Sequence, residues 1–279
     1  MKSAQRYFIK MYYLADHYLG SQRQKEENTI EGILIKKLID KSYIENESKS
    51  GFEAASRTDR FVSARGSVFS FITQKSFYPE ELNSALPNDI GVWAVARVPI
   101  DYKPRRNAIC RHYKYIFEYP ISYLIKKSEF EIDLIKQGCN LLNGSHDFVN
   151  FAKKDKDKNT VRDLEDIKLS IMNDFLILDF YSQSFLRQQI RKIIRKLVEL
   201  GTKKITLDEF KTLFDPMKSF SYKPYSPNGL VLWDIIYPKE VNFFENIKGK
   251  ERMCNFFEQK YYYSLFRTNF FNILKDEKD

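Results

Sequence analysis

The sequence has few of the residues from which metal sites and disulfide frameworks are built. Its 279 residues include three cysteines, Cys110, Cys139 and Cys254, which lie far apart and form no Cys-x-x-Cys pair. This number and spacing indicate neither a zinc site nor a disulfide framework, and they predict reduced thiols in an intracellular protein. The chain has 3 histidines, too few for a histidine-rich metal site.

Long apolar runs and a secretion signal are also missing. No stretch reaches the roughly 18 uninterrupted apolar residues that a membrane-spanning helix needs. The N-terminal segment 1–14 is interrupted by Lys10 and has no small-residue cleavage site, unlike a signal peptide. The sequence has no Gly-rich phosphate-binding loop. We therefore predict a cytoplasmic protein that does not associate with a membrane.

Apolar and basic residues, by contrast, are plentiful. Hydrophobic residues make up 43% of the chain and aromatic residues 15%, which predicts a folded protein with a sizeable core. The 46 Lys and Arg residues exceed the 37 Asp and Glu residues, giving a formal net charge of +9. A basic excess favours a polyanionic partner, nucleic acid or an acidic membrane, through long-range electrostatic attraction.

Hydrophobic periodicity divides the first hundred residues into six elements. Alternation over Tyr7–Tyr13 predicts a strand, and Asn28 and Glu31 have the spacing of the N-cap and N3 residues of a following helix. Strands are predicted on both sides of Asp59, and a short helix and a further strand follow. The resulting order β-α-β-β-α-β is typical of split-βαβ, ferredoxin-like sheets.

A similar order of elements follows a basic linker at residues 101–108. The patterns predict a strand, a helix, the two strands of a hairpin that turns at Asn173-Asp174, two helices and a last strand: His112–Tyr119, Glu129–Leu142, Val161–Ile171, Phe175–Tyr181, Ser184–Leu200, Leu207–Phe214 and Leu230–Tyr237. The charge run Lys153–Asn159 predicts a solvated loop. The short segment around His146 predicts a turn in which this histidine makes a local hydrogen bond.

These patterns divide the chain at residues 104 and 238. An N-terminal α+β half, 1–104, and a C-terminal α+β half, 105–238, would share an antiparallel sheet with helices behind it, which leaves one face free for a large ligand. The remaining segment, 239–279, alternates aromatic residues with charges. It predicts a helical extension whose aromatic residues pack on the body or at a subunit interface rather than on bases, because such clusters are usually buried.

Polar residues in three places are candidates for chemistry. Asp59 follows an apolar run, with Arg57 two residues before it, and is either a turn-forming or a functional carboxylate. Tyr113 lies near the start of a predicted strand and is either a packing residue or a ring that faces a cleft. Arg187 and Arg191 lie four residues apart on a predicted helix, and they form either a solvated ridge or a source of cations for a loop carboxylate.

Six segments carry a resemblance when they are taken in order. They are SRTDRFVSA (56–64), LPNDI (86–90), RHYKY (111–115), GSHDFVNF (144–151), FLRQQIRKII (185–194) and PNGLVL (227–232). They resemble the signatures of the TruA-type tRNA pseudouridine synthases, which read G-R-T-D-x-G-V-H-A, L-P-x-D-I, R-x-Y-x-Y, G-x-H-D-F-x-x-F, F-L-x-x-M-V-R-x-I-V and P-x-G-L-x-L. The resemblance spans residues 6–238.

Three positions depart from the first of these signatures. Ser56 and Phe61 replace its two glycines, and Ser63 replaces its histidine. The loss of two glycines changes the backbone angles that the loop can adopt, so a divergent loop conformation is expected. The aspartate, and the arginine two residues before it, are retained.

The resemblance implies a fold, a reaction and a site. The fold is α+β, with two ferredoxin-like halves sharing an antiparallel sheet around a basic central cleft, plus the helical C-terminal extension. The reaction is isomerisation of uridine to pseudouridine in tRNA, which needs no cofactor and no metal. Asp59 would be the nucleophile or electrostatic partner, with attack on the sugar or on the base left open. Arg191 would keep Asp59 ionised, and Tyr113 would stack on the flipped uridine and help to remove the C5 proton.

The resemblance also implies contacts with RNA. Arg57 would fill the space that the extruded base leaves, and Arg23, Arg105, Arg106 and Arg187 would bind tRNA phosphates. Members of the family are typically homodimers that act on the anticodon stem-loop, so tRNA and a second copy of the chain are the implied partners. The alternative, which the altered glycines favour, is a catalytically inactive RNA-binding or RNA-folding protein of the same fold.

Overall fold

The computed structural model describes residues 3–25, 28–154 and 159–275. The strands are β1 (Gln5–Tyr13), β2 (Glu53–Ala54), β3 (Ser63–Thr73), β4 (Ile90–Val98), β5 (Cys110–Ile116), β6 (Gly144–Asp147), β7 (Val161–Leu164), β8 (Asp166–Met172), β9 (Phe175–Ser182), β10 (Leu230–Ile236) and β11 (Phe244–Glu245). The helices are α1 (Ile30–Asp40), α2 (Pro79–Asn83), α3 (Ile121–Lys127), α4 (Ile132–Leu142), α5 (Gln189–Gly201), α6 (Leu207–Lys211) and α7 (Ile247–Lys275). The order β-α-β-β-α-β predicted for the first hundred residues is confirmed.

One nine-stranded sheet takes strands from both halves of the chain. Its order is β11-β4-β1-β3-β10-β5-β9-β8, and β2 pairs with β3 outside this path. All these pairings are antiparallel except that of β3 with β10, which sets Ser63 and Ala64 beside Val231 and Leu232. Strand β10 therefore joins the two halves. The predicted α+β fold with a shared, mostly antiparallel sheet is confirmed.

The main core lies where helices cover the sheet. Leu34 and Leu38 of α1 are fully buried in the same cluster as Ile9 and Phe69 of the sheet. In the second half, α5 buries Ile193 and contacts α4. Burying apolar side chains of this size contributes about 1.5–3 kcal/mol each, which orients the helices against one face.

Two predicted helix starts are wrong. The N-cap of α1 is Thr29, whose hydroxyl accepts a hydrogen bond from the amide of Gly32 at 3.2 Å, rather than Asn28. Helix α5 begins at Gln189 rather than at 184, because Gln188 has a φ of 62°, in the left-handed region that a helix cannot contain. Arg187 therefore precedes the helix and shares no helical ridge with Arg191.

Other element boundaries also differ in the second half. The strand predicted from His112 to Tyr119 ends at Ile116, and α3, which was not predicted, follows it. The predicted strand 161–171 is two strands, β7 and β8. His146 lies in β6 rather than in a turn, although its Nε2 does contact the carbonyl of Asn143 at 2.9 Å. The turn between β8 and β9 at residues 173–174 is confirmed. Residues 155–158 of the predicted loop lie outside the described residues.

The C-terminal extension is helical, as predicted, but only its first part packs on the body. Met253 of α7 is buried with Tyr12 and Trp93, and Gly249 lies so close to the carbonyl of Val92 that a Cβ would stand 2.3 Å from it. Farther along, the aromatic side chains do not pack on the body of this chain, whereas their expected place at a subunit interface stays a prediction: Tyr261, Tyr262, Tyr263, Phe266 and Phe271 are exposed. Among the residues that the structure describes, no helix is both long and apolar enough to cross a membrane.

Candidate active site

The loop that carries Asp59 runs from β2 to β3 and is fixed by the segment after β1. The amide of Thr58 donates to the hydroxyl of Ser21 at 2.7 Å, and the amide of Ser21 donates back to the carbonyl of Thr58 at 3.1 Å. The hydroxyls of Thr58 and Tyr13 are 2.8 Å apart. Gly20, with a φ of 106°, packs against the same backbone. These contacts present Asp59 at a fixed position, and sequence reasoning missed them because their side-chain hydrogen bonds join residues 37 and 45 apart.

Asp59 forms an ion pair with Arg191 of α5. Nη1 of Arg191 donates to Oδ2 of Asp59 at 2.9 Å, and Nε of Arg191 donates to the carbonyl of Tyr225, also at 2.9 Å. The Asp59 side chain is 37% exposed and that of Arg191 is 13% exposed. Within the described chain, Oδ1 of Asp59 has no hydrogen-bond partner. The carboxylate is thus oriented through one oxygen and open through the other.

Tyr113 lies beside the same loop. Its hydroxyl is 3.0 Å from the hydroxyl of Ser56, and its buried ring meets the ring of Phe185 edge to face at 5.3 Å. Burial raises the pKa of Tyr113, an effect that the hydrogen bond from Ser56 opposes and the charge of Asp59 reinforces. The structure therefore brings together Asp59, Tyr113 and Arg191 from three separate parts of the sequence.

Arg111 connects the strand of Tyr113 to the start of the Asp59 loop. Its buried guanidinium donates to the carbonyl of Ala55 at 3.1 Å, to that of Arg105 at 2.9 Å, and to that of Gln183. A side chain that satisfies three buried carbonyls fixes the relative positions of the segments that carry them. The sequence pattern identified Arg111 as part of a motif, yet gave no indication of this role.

The arginines predicted to contact RNA differ in their surroundings. Arg57, Arg105, Arg106 and Arg187 are exposed, and their guanidinium groups have no hydrogen-bond or ion-pair partner within the described residues. Arg23 is also exposed, but its guanidinium is paired with the carboxylate of Glu47. Four of the five side chains are therefore available to an anion, whereas Arg23 must first leave its partner.

The positions that depart from the family signature are accommodated by the structure. Phe61 has a φ of 66°, so the residue that replaces a glycine keeps a backbone conformation that glycine favours. The guanidinium of Arg60 stacks 4.5 Å from its ring centre. The hydroxyl of Ser63 accepts a hydrogen bond from the amide of Ala15 at 3.1 Å. Phe61 thus adopts a positive φ although it is not a glycine.

The described residues include no group of three or more His, Cys, Asp or Glu side chains that could hold a metal ion. The chemical groups of the site itself belong to three side chains. These are a partly open carboxylate paired with a guanidinium, and a buried phenol.

Sequence comparisons identify relatives along most of the chain. A family model described as tRNA pseudouridine synthase matches residues 139–238. The chain is 30% identical to tRNA pseudouridine synthase A of Methanothermobacter thermautotrophicus, over 91% of this chain and 89% of that protein. It is 33% identical to the protein of the same name from Methanosarcina mazei, over 85% and 87% of the two chains. The one from Thermococcus kodakarensis is 31% identical, over 94% and 96%. The chain therefore belongs to the TruA-type tRNA pseudouridine synthases, a family of isomerases.

Proposed function

We propose that this protein isomerises uridine to pseudouridine in tRNA and that Asp59 is the nucleophile. The observation that carries the proposal is the Asp59–Arg191 pair, because one carboxylate oxygen is held at 2.9 Å by a cation while the other is open. A carboxylate that is oriented by a cation and has a free oxygen is in the form in which it acts as a nucleophile. A protein that only binds RNA has no need of this arrangement.

The isomerisation exchanges one bond of the uracil for another. The bond between N1 and C1′ breaks, the base turns, and C5 bonds to C1′, with a proton lost from C5 and one gained at N1. Asp59 would stabilise the detached state by bonding to the nucleotide through its open oxygen. Tyr113, whose hydroxyl lies beside the same loop, is placed to receive the C5 proton. The chemistry requires no redox change.

The target nucleotide must leave its helix or loop to reach Asp59. Arg57, two residues before Asp59 and without a side-chain partner in the described chain, is placed to fill the vacated space or hold the flipped nucleotide. Arg105, Arg106 and Arg187 would bind phosphates, and Arg23 would join them after leaving Glu47. We propose the anticodon stem-loop of tRNA as the target region, on family grounds, and the cytoplasm as the location.

We infer further that the protein is a homodimer and that α7 is one of the surfaces through which copies meet. The second part of α7, from Tyr261 onward, has an apolar face. Because successive helix residues lie 100° apart around the axis, this face is roughly 120° wide and is turned about 100° from the face that packs on the sheet. Its members carry no charge and are 39–74% exposed: Tyr262, Tyr263, Phe266, Phe270, Ile273 and Leu274. The exposed surface of these six side chains amounts to roughly 700 Å², since an aromatic side chain presents about 200 Å².

That area is close to what one partner of a stable protein interface buries, about 800 Å². Sedimentation equilibrium of the whole protein tests the inference. We expect a dimer for the wild type and for Asn272→Glu, which lies on another side of α7, and a monomer for the double variant Phe266→Glu with Phe270→Glu. A dimer that persists in the double variant would remove α7 from the interface. A monomeric wild type that loses RNA affinity in the double variant would assign the face to RNA instead.

Unmodified tRNA transcripts test the catalytic proposal. We expect the wild type to give carbodiimide-dependent primer-extension stops in the anticodon arm, and Asp59→Ala to give none while binding the same transcripts. Asp166→Ala, which removes an exposed carboxylate from β8, should retain full activity. Tight binding by the wild type with no stops on any tRNA would favour the inactive RNA-binding alternative. Full activity of Asp59→Ala would overturn the role of Asp59.

A further inference from the structure

Ser56 stands where the family signature has glycine, and it contacts a residue of the candidate active site. Its hydroxyl oxygen is 3.0 Å from the hydroxyl oxygen of Tyr113. Within the described residues, neither oxygen has another hydrogen bond. Glycine has no atom that could make this contact, so the hydrogen bond belongs to this chain's version of the loop.

Both partners of the contact are held in place by the fold. On the side of Ser56, the amide of Ala55 donates to the carbonyl of Val68 at 2.9 Å, and the carbonyl of Ala55 accepts from Arg111. On the other side, Tyr113 lies within a strand paired on both edges, and the ring of Phe185 fixes its plane. The backbone beside Ser56 and the ring of Tyr113 are therefore both held, with the two hydroxyls within hydrogen-bond distance.

The contact alters the chemistry open to the phenol. Burial raises the pKa of Tyr113, which disfavours the phenolate that could accept a proton, and the neighbouring carboxylate of Asp59 acts in the same direction. The hydrogen bond from Ser56 and the charge of Arg111 act in the opposite direction. A hydroxyl that donates to a phenolate stabilises it, because burial leaves it few other donors.

We propose that Ser56 is a positioning residue for Tyr113, fixing the phenolic oxygen and donating to it while it receives the C5 proton of the uracil. The proposal rests on the proposed function. In this step the C5–H bond breaks, its electron pair restores the C5–C6 double bond, the electrons of the C6–N1 double bond move to N1, which takes a proton from water, and the phenolate of Tyr113 becomes a phenol. Loss of that proton to water restores the phenolate.

Direct titration of Tyr113 tests the contact without any substrate. Protein labelled with ¹³C at the tyrosine Cζ would be titrated by NMR, and the resonance of Tyr113 would be assigned by its loss in Tyr113→Phe. Relative to the wild type, Ser56→Ala should ionise Tyr113 at higher pH, and Ser56→Thr, which keeps a hydroxyl, should restore the wild-type titration. Identical titrations of wild type and Ser56→Ala would overturn the proposal, whatever the activity.

Single-turnover kinetics on tRNA test the catalytic consequence. Ser56→Ala should lower the maximal single-turnover rate constant about threefold to tenfold, the usual effect of one hydrogen bond. The concentration that gives half of this rate should be unchanged. The rate of Ser56→Ala should rise at a higher pH than that of the wild type. Ser56→Thr should recover both the wild-type rate constant and the wild-type pH dependence. Ser264→Ala, on exposed α7, is the control and should match the wild type. Equal rates for wild type and Ser56→Ala across about pH 7 to 9 would overturn the proposal.

The two experiments separate the possible failures. A wild type that forms no pseudouridine on any tRNA, but whose Tyr113 titration shifts in Ser56→Ala, would contradict the proposed function and support the positioning contact. An active wild type with no shift in Ser56→Ala would contradict the contact and leave the proposed function intact.

Discussion

Two aspartates, one in the loop between β2 and β3 and one in β9, show how the surroundings of a carboxylate decide whether a ligand can reach it. Asp59 is 37% exposed, has one ionic partner and keeps an open oxygen. Asp179 of β9 is 9% exposed, and its Oδ1 accepts from Lys114 at 2.6 Å and contacts the ring of His112. One carboxylate is available to a ligand, whereas the other is enclosed by its own partners.

Strand β5 supplies partners to both sites. Because side chains alternate along a strand, Tyr113 faces the loop of Asp59 while His112 and Lys114 face Asp179. An acidic side chain near cations is therefore not by itself a sign of catalysis. The distinguishing features are the open oxygen and access from solvent, and the predictions below separate these two kinds of carboxylate.

Asp59→Asn should have the largest effect, a loss of pseudouridine formation of at least about a thousandfold, because an amide is not a nucleophile. Its free energy of unfolding should change by less than about 1 kcal/mol, since the ion pair is partly exposed. Single-turnover kinetics and urea denaturation measure the two effects. A variant that is strongly destabilised but keeps its activity per folded molecule would show that Asp59 has a structural role instead of a catalytic one.

Asp179→Ala should do the opposite. Leaving the charge of Lys114 without its buried partner should cost about 3 kcal/mol of unfolding free energy, more than a hundredfold in the folding equilibrium. Urea denaturation measures this cost. The control Asp166→Ala breaks an exposed ion pair and should change the free energy of unfolding by less than about 0.5 kcal/mol. Per folded molecule, activity should match the wild type. A stable but inactive Asp179→Ala would erase the distinction between the two aspartates.

Arg191→Lys should lower kcat about tenfold. Lysine keeps the charge but cannot direct one donor to Asp59 and another to the carbonyl of Tyr225, as the guanidinium does, so Asp59 loses its orientation. Single-turnover rates at saturating tRNA measure the change. Wild-type kcat in Arg191→Lys would mean that charge alone is sufficient at this position.

The smallest effect should appear in the pH dependence of stability. Burial lowers the pKa of His112, and the charge of Lys114 lowers it further. Asp179 and Asp234 act in the opposite direction but do not outweigh burial. The unfolded state therefore binds the proton more readily, so stability should fall as pH drops below about 6.5, the pKa of an unfolded histidine. His112→Gln should flatten this part of the profile in urea denaturation. An unchanged profile would show that His112 does not contribute to it.

Much of the fold and of the site could be predicted from sequence. Periodicity identified the six elements of the first half, and α1 shows why, because its buried residues Ile30, Leu34 and Leu38 recur at helical spacing. The ordered motifs led to Asp59, Tyr113 and Arg191, which the structure brings together, although their roles and the boundaries at 104 and 238 stay predictions. Motifs succeed here because they mark the few positions at which separate segments meet.

The missed features depend on contacts that no local pattern records. The hydrogen bonds of Ser21 to Thr58 join loops far apart in sequence, and the left-handed Gln188 that delays α5 follows no turn signature. The pattern of α7 predicts a helix, yet periodicity cannot tell whether a neighbour covers its aromatic face. Ser56 was recognised as a departure from the family, but its partner became visible only with Tyr113 in place.

The position of β10 in the sheet has a consequence for protein synthesis. This strand is made late, at residues 230–236, but it lies between β3 and β5. A chain emerging from the ribosome folds its N-terminal segments first. Until β10 emerges, the halves lack their connecting strand, and β5 presents an open edge of the kind that chaperones and neighbouring nascent chains bind. The shared sheet can therefore be completed only after residues 230–236 have been made, and a chain that stops before this strand would leave β3 and β5 unconnected.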